Sequence, residues 1–335
     1  SFGEDKTMVV KLGIAYMRGL QDNGVMACGK HFPGHGDTDV DSHNDMPSIR
    51  KSLQQLDTLE LYPFKKLIEA GVKTMMVAHL EVPALETEPH IPTTLSKNTI
   101  TGLLKNKMGF KGLVFTDALN MQGIAKYFAP GDVDLRALQA GNDMLLFSQD
   151  VPTAIAKIQQ ALADSTITWS EINVHVKKIL AAKYDAGLST FKAVENVGAT
   201  EDLNRQVVAI RTQMAKRATT LIRDRNYILT DLLNNKKHIG YVGINANDST
   251  QLSKQLQVAI PDINIQWLPK GSNATKANKV LGGTTVDDIT IVAIHNMTFY
   301  PTNGNYGIDE QQLSFIKQMA TRRNVMLVVM GNPYI

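Results

Sequence analysis

The chain has 335 residues, 43% of them hydrophobic and 20% charged, which is the composition of an ordinary globular protein of about two domains. A formal net charge of +3 with no basic run gives no support to nucleic-acid or anionic-membrane binding. No apolar run reaches the ~18 residues of a membrane-spanning helix, and a single cysteine, Cys28, excludes an internal disulfide framework.

Taken in order, Met8, Val9, Leu12, Ile14, Ala15, Met17 and Leu20 recur at helical spacing across 5–22, and Asn23-Gly24 closes that helix. A strand is expected over 25–31. It must stop where Pro33, Gly34 and Gly36 begin an irregular loop. Residues 53–70 read as a helix that Pro63 kinks or splits. An apolar strand over 72–79 ends on His79, and Ser96 is a candidate N-cap for a helix over 97–108. A third strand, 112–116, runs into Asp117. A helix over 133–140, a strand over 143–147 and helices over 152–163 and 170–186 follow.

The pattern is strand, polar loop and helix, four times over. Near-continuous apolar strands imply a parallel sheet buried on both faces. Four such units make half of an eight-fold β/α barrel or part of an open doubly wound sheet, and periodicity does not separate the two. Beyond Gly187 the pattern lapses. A helix is expected over 201–220, then strands over 238–244, 263–268, 289–295 and 325–330, with helices near 249–258, 273–281 and 309–321. This is a second α/β unit without a glycine-rich phosphate loop.

Titratable residues gather where the first strands end. Lys30 and His31 stand at the end of the first strand with His35, Asp37, Asp39, Asp41 and His43 beyond it, His79 and Glu81 mark the end of the second, and Asp117 that of the third. In a parallel α/β fold these ends share one rim, where ligands bind. Three of the chain's eight histidines lie within 30–43. Asp41 and His43, two residues apart, are a candidate carboxylate–imidazole pair for proton transfer near neutral pH. Two chemistries stay open. In one, His31, His35, His79 and Asp117 hold a metal that activates water. In the other, Asp117 is a nucleophile and the Asp41–His43 pair is the acid/base of a two-step displacement.

The stretch Lys-His-Phe-Pro-Gly-His-Gly-Asp-Thr-Asp-Val-Asp-Ser-His from Lys30 to His43 closely resembles the signature of family 3 glycoside hydrolases, in particular their β-N-acetylglucosaminidase branch, the peptidoglycan-recycling enzymes. Phe115 to Met121 resembles that family's nucleophile segment, and Val77-Ala78-His79 its intervening strand end. The resemblance implies a retaining exo-acting β-N-acetylglucosaminidase without cofactor or metal. Asp117 would be the nucleophile, His43 the acid/base and Asp41 the residue that orients it. Lys30, His31, His35, His79 and Met121 would bind substrate. A β-glucosidase or glycoside phosphorylase of the same family is the near alternative, and a metal-dependent hydrolase the distant one.

The implied architecture is the later half of a (β/α)8 barrel over 1–187, a linker over 188–200, and an α/β sandwich domain over 201–335 that is incomplete at its end. In the family the barrel begins earlier, with further strands, a substrate-binding aspartate and an arginine. The chain is therefore expected to be an internal piece that acts only with the missing portion, either attached in its parent protein or supplied as another chain. Its expected partners are GlcNAc-containing peptidoglycan fragments, with no nucleic acid and no membrane segment. Its compartment is left open between bacterial cytoplasm and periplasm.

Overall fold

Asp5 starts the first helix, α1 (Lys6–Gln21), by accepting the Met8 N–H at 2.7 Å on its carboxylate. The computed structural model to which this helix belongs describes residues 2–38, 46–193, 196–224, 227–234, 238–298 and 305–331. Contacts divide the chain into two units, 1–195 and 196–335.

In the first unit, strands β1 (Cys28–Phe32), β2 (Thr74–Val77), β3 (Leu113–Ala118) and β4 (Met144–Leu146) are all parallel and lie side by side in chain order. That order never reverses, as in a barrel wall and unlike a doubly wound sheet. Helices α2 (Leu53–Thr58) and α3 (Leu61–Glu69) precede β2. The helix expected over 53–70 is thus two helices, and Pro63 supplies the reason. Its ring would collide with the carbonyl four residues back, that of Leu59, and Leu59 leaves helical geometry at φ −122° and ψ −72°. Leu56 on α2 and Leu61 and Phe64 on α3 are buried with Phe32, Met75, Val77 and Val114 of the strands. Each such side chain contributes roughly 2 kcal/mol by burial.

After β2 the chain turns through Thr93–Leu95 into a wide-turn helix, Asn98–Lys107. Ser96 does accept the Thr99 N–H on its hydroxyl, at 3.1 Å. Then come α4 (Gln122–Ala125), α5 (Asp132–Ala140), α6 (Val151–Ala163) and α7 (Trp169–Asp185). Among the described residues no helix is long and apolar enough to cross a membrane.

In the second unit, α8 (Ala199–Asn204) and α9 (Val207–Ala218) replace the single helix expected over 201–220, and neither buries a residue. Helix α10 (Ile228–Asn234) lies where sequence periodicity indicates no helix. Strands β5 (Ile239–Ile244), β6 (Asn264–Leu268), β7 (Ile289–Ile294) and β8 (Val325–Val329) form a second parallel sheet in the order β6-β5-β7-β8. Successive side chains of β5 and β7 alternate between two apolar clusters. One includes residues of α10 and α11 (Gln251–Ala259), the other residues of α12 (Ala274–Gly283) and α13 (Glu310–Ala320).

At the foot of β4 a buried carboxylate ties the first unit together. Asp143 accepts the Val114 N–H at 2.8 Å, His175 Nδ1 at 2.7 Å and Lys178 Nζ at 2.5 Å, with Lys105 Nζ at 3.6 Å. Burial alone would push this carboxyl up. The hydrogen bonds from His175 and Lys178 and the charge of Lys105 outweigh it and hold the pKa down, to about 2. Its contribution to stability is therefore complete above the ordinary carboxylate range and is lost as pH falls toward 2. We expect Asp143→Asn to cost about 3 kcal/mol at neutral pH, with the gap to wild type closing between pH 4 and pH 2 in denaturant melts.

Candidate active site

Parallel pairing sets this site. Phe32 registers with Val77, and Val77 with Thr116, so the carboxyl ends of β1, β2 and β3 fall on one line. Strand β1 extends one residue beyond the expected end, to Phe32, and β3 runs through Asp117 to Ala118. His31 and Asp117 are therefore strand residues, held by sheet backbone rather than by loops. Their side chains meet, with His31 Nε2 3.7 Å from Asp117 Oδ2. The Asp117 side chain is 17% exposed and that of His31 32%. The carboxylate does not cap a helix. Its Oδ1 accepts the N–H of its own neighbour Ala118 at 2.9 Å, and Oδ2 faces the imidazole.

Two residues past β2, His79 is fully buried, and both ring nitrogens are engaged by protein. Nε2 lies 3.0 Å from the Ala118 carbonyl, which can only accept, so Nε2 carries the hydrogen. Burial pushes the imidazole pKa below its ordinary value, against the opposing pull of the Ala118 carbonyl and the Asp117 charge. In the neutral ring Nδ1 is left as an acceptor facing the Thr94 hydroxyl, 2.7 Å away, and it shares that hydroxyl's single hydrogen with a backbone carbonyl. That hydroxyl also lies 2.5 Å from the Ala78 carbonyl, which Thr93 already serves at 2.7 Å. His79 thus presents no nitrogen to a ligand or a metal. It joins the end of β2 to the residue after Asp117.

The other candidates are placed as follows. Lys30 is exposed on β1 and makes no ion pair among the described residues. His35 Nδ1 is 3.0 Å from the Thr38 hydroxyl, and its ring stands edge-on to that of His31 at 6.2 Å. Met121 is buried where the chain enters α4, and its N–H is bonded to Ala118 O at 3.1 Å. Asp37 pairs with Lys51 at 2.6 Å. Asp39, Asp41 and His43 lie outside the described residues. Among the described residues no three His, Cys, Asp or Glu side chains converge as a metal set.

Three residues that sequence reasoning did not single out belong to the surroundings of the site: Thr94, Lys51 and Glu60. Thr94 left only the paired threonines between Ile91-Pro92 and Leu95 as a trace in the sequence, and both side chains are fully buried. The other two left none.

Residues 1–182 match the N-terminal domain of glycosyl hydrolase family 3. The chain belongs to that family. Among the relatives it resembles, it is 38% identical over 156 residues to a beta-hexosaminidase A of Pseudoalteromonas piscicida, covering 44% of this chain and 26% of that protein. It is 39% identical over 171 residues to a beta-hexosaminidase of Thiobacillus denitrificans, covering 50% of this chain and 45% of that one. The chain thus spans less than half the length of these curated relatives. A solved family 3 beta-N-acetylglucosaminidase from Paenibacillus sp. FPU-7 superposes with a TM-score of 0.66 at 27% identity, covering 96% of this chain and 61% of that one.

The His79 geometry makes a prediction that needs no substrate. In nitrogen-resolved NMR the His79 ring holds its hydrogen on Nε2 and titrates below the ordinary histidine range. Thr94→Val, which removes the donor to Nδ1, perturbs that nitrogen's shift. A His79 resonance that titrates as a free imidazole does contradicts the assignment.

Proposed function

We propose that the protein is a retaining, exo-acting β-N-acetylglucosaminidase that removes terminal GlcNAc from peptidoglycan fragments. The observation that carries this reading is the Asp117 carboxylate. It stands at a strand end in a family 3 chain, one oxygen held by backbone and the other facing His31. The names of the relatives support the sugar.

In the first step Asp117 attacks the anomeric carbon, and the bond to the aglycone oxygen breaks as His43 delivers its proton to that oxygen. In the second step His43, now neutral, takes a proton from water as the water oxygen attacks the anomeric carbon, and the Asp117 carboxylate departs. Asp41 orients the His43 ring. An imidazole suits both steps because its ordinary pKa leaves either form accessible near neutral pH. Lys30 and His31, with His35, hold sugar hydroxyls, and Met121 supports the nearby wall. His79 serves the same site from beneath, fixing the backbone that carries Asp117.

The fold reading that goes with this function is a (β/α)8 barrel of which β1–β4 are the later half, over 1–187. A linker over 188–200 leads to an α/β sandwich domain over 201–335. The unreversed strand order of the first sheet supports the barrel, and the two apolar clusters flanking the second sheet support the sandwich. A complete barrel of this kind needs further strands, carried by the parent protein or supplied by another chain.

Hydrolysis of a chromogenic N-acetylglucosaminide by the full-length protein tests the reading. We expect Asp117→Asn to lower kcat on the order of 10^4-fold and His43→Ala by about 10^2 to 10^4-fold. The first product should have the β configuration in NMR. Near-full activity in Asp117→Asn, an inverted product, or product that appears only when phosphate is present as acceptor would each overturn it.

A further inference from the structure

Glu60 lies at the break between α2 and α3. Its side chain is 7% exposed. One carboxylate oxygen, Oε1, accepts Lys51 Nζ at 2.5 Å. The other, Oε2, is buried with no hydrogen-bond partner among the described residues. A buried acceptor without a donor costs stability, so its presence asks for a reason. Lys51 reaches a second carboxylate, Asp37 Oδ2 at 2.6 Å, whose side chain is 68% exposed. An ion pair that open to water contributes little to stability. What it does is geometric, because it links the loop after β1 to a buried anchor beside α3.

A second contact repeats that link. Gly34 has φ +135°, and a Cβ built there would come 2.8 Å from Glu60 Cβ. The loop therefore rests directly on Glu60, at a position only glycine occupies without displacement. From Asp37 the connection continues toward the site. Thr38 Oγ1 is 3.0 Å from His35 Nδ1, the His35 ring stands edge-on to His31 at 6.2 Å, and His31 Nε2 is 3.7 Å from Asp117 Oδ2.

We propose that Lys51 and Glu60 are a positioning pair that fixes the 33–38 loop, and through it His35 and His31, against Asp117. The proposal rests on the glycosidase reading above. The pair touches no substrate and moves no proton. Its task is to hold one side of the site in the geometry that the attack of Asp117 needs, with Lys51 as the bridge and Glu60 as the fixed end.

The test uses the full-length protein and three variants, Lys51→Met, Lys51→Arg and the double variant Lys51→Met/Glu60→Gln, which leaves no unpaired buried charge. Each is read by thermal melting, by kcat and KM separately, and by amide hydrogen exchange over 33–38. We expect the double variant to melt close to wild type and to lose kcat on the order of 10^2-fold with a smaller change in KM. Exchange over 33–38 speeds up in Lys51→Met and in the double variant, and Lys51→Arg restores both kcat and protection. A loss of kcat that simply follows melting temperature, unchanged exchange, or faster exchange with unchanged kcat overturns the proposal. Should the wild-type protein cleave no N-acetylglucosaminide, the glycosidase reading fails by itself. Exchange over 33–38 still decides whether Lys51 and Glu60 hold the loop.

Discussion

Backbone hydrogen bonds that pair Phe32 with Val77 and Val77 with Thr116 set where His31 and Asp117 stand relative to one another. A slip of one residue in either pairing would turn a strand's side chains to the opposite face of the sheet. The apolar set Phe32, Met75, Val77 and Val114 would then face the wrong way, and Asp117 would leave His31. Register and active-site geometry are thus one constraint. The buried strand residues make that slip costly, at roughly 2 kcal/mol for each large side chain exposed. The chemistry at the rim is only as fixed as the core beneath it.

The two ends of this sheet use polar burial differently. At the foot, Asp143 is a buried anion surrounded by Lys105, His175, Lys178 and the Val114 N–H, a fully partnered charge that ties helices to strands. At the rim, His79 is a buried neutral ring with each nitrogen matched once. Charge at the foot joins elements. Neutrality at the rim keeps an uncharged wall beside Asp117, the proposed nucleophile. Glu60 differs from both, since one of its carboxylate oxygens has no hydrogen-bond partner among the described residues.

Much of this was legible from residues alone. Apolar runs located the eight strands of the described residues to within a few residues, because strands buried on both faces leave little else to read. Pro63 announced the break between α2 and α3 through a steric rule that needs no tertiary knowledge. Asp117 at a strand end was visible for the same reason. The misses concern relations between distant parts of the chain. Periodicity shows that His79 follows a strand, but not that Thr94 and Ala118 engage both of its nitrogens. The Lys51–Glu60–Asp37 link crosses from a loop to the start of a helix, and no local pattern encodes it. Strand β1 ends one residue later than expected, at Phe32, and the edge-on meeting of His31 with His35 beyond it follows from no local pattern. The assignment of Asp41 and His43 rests on the sequence signature, since both lie outside the described residues.

Everything in the functional account depends on Asp117 becoming covalently joined to the sugar. The direct measurement is mass spectrometry of the full-length protein after reaction with a fluorinated N-acetylglucosaminyl donor whose glycosyl-enzyme hydrolyses slowly. One sugar per chain is expected, carried by the peptide that spans β3, with fragmentation placing it on Asp117. A label on Glu60, Glu81 or any other carboxylate, or turnover of the donor with no adduct at Asp117, would contradict it.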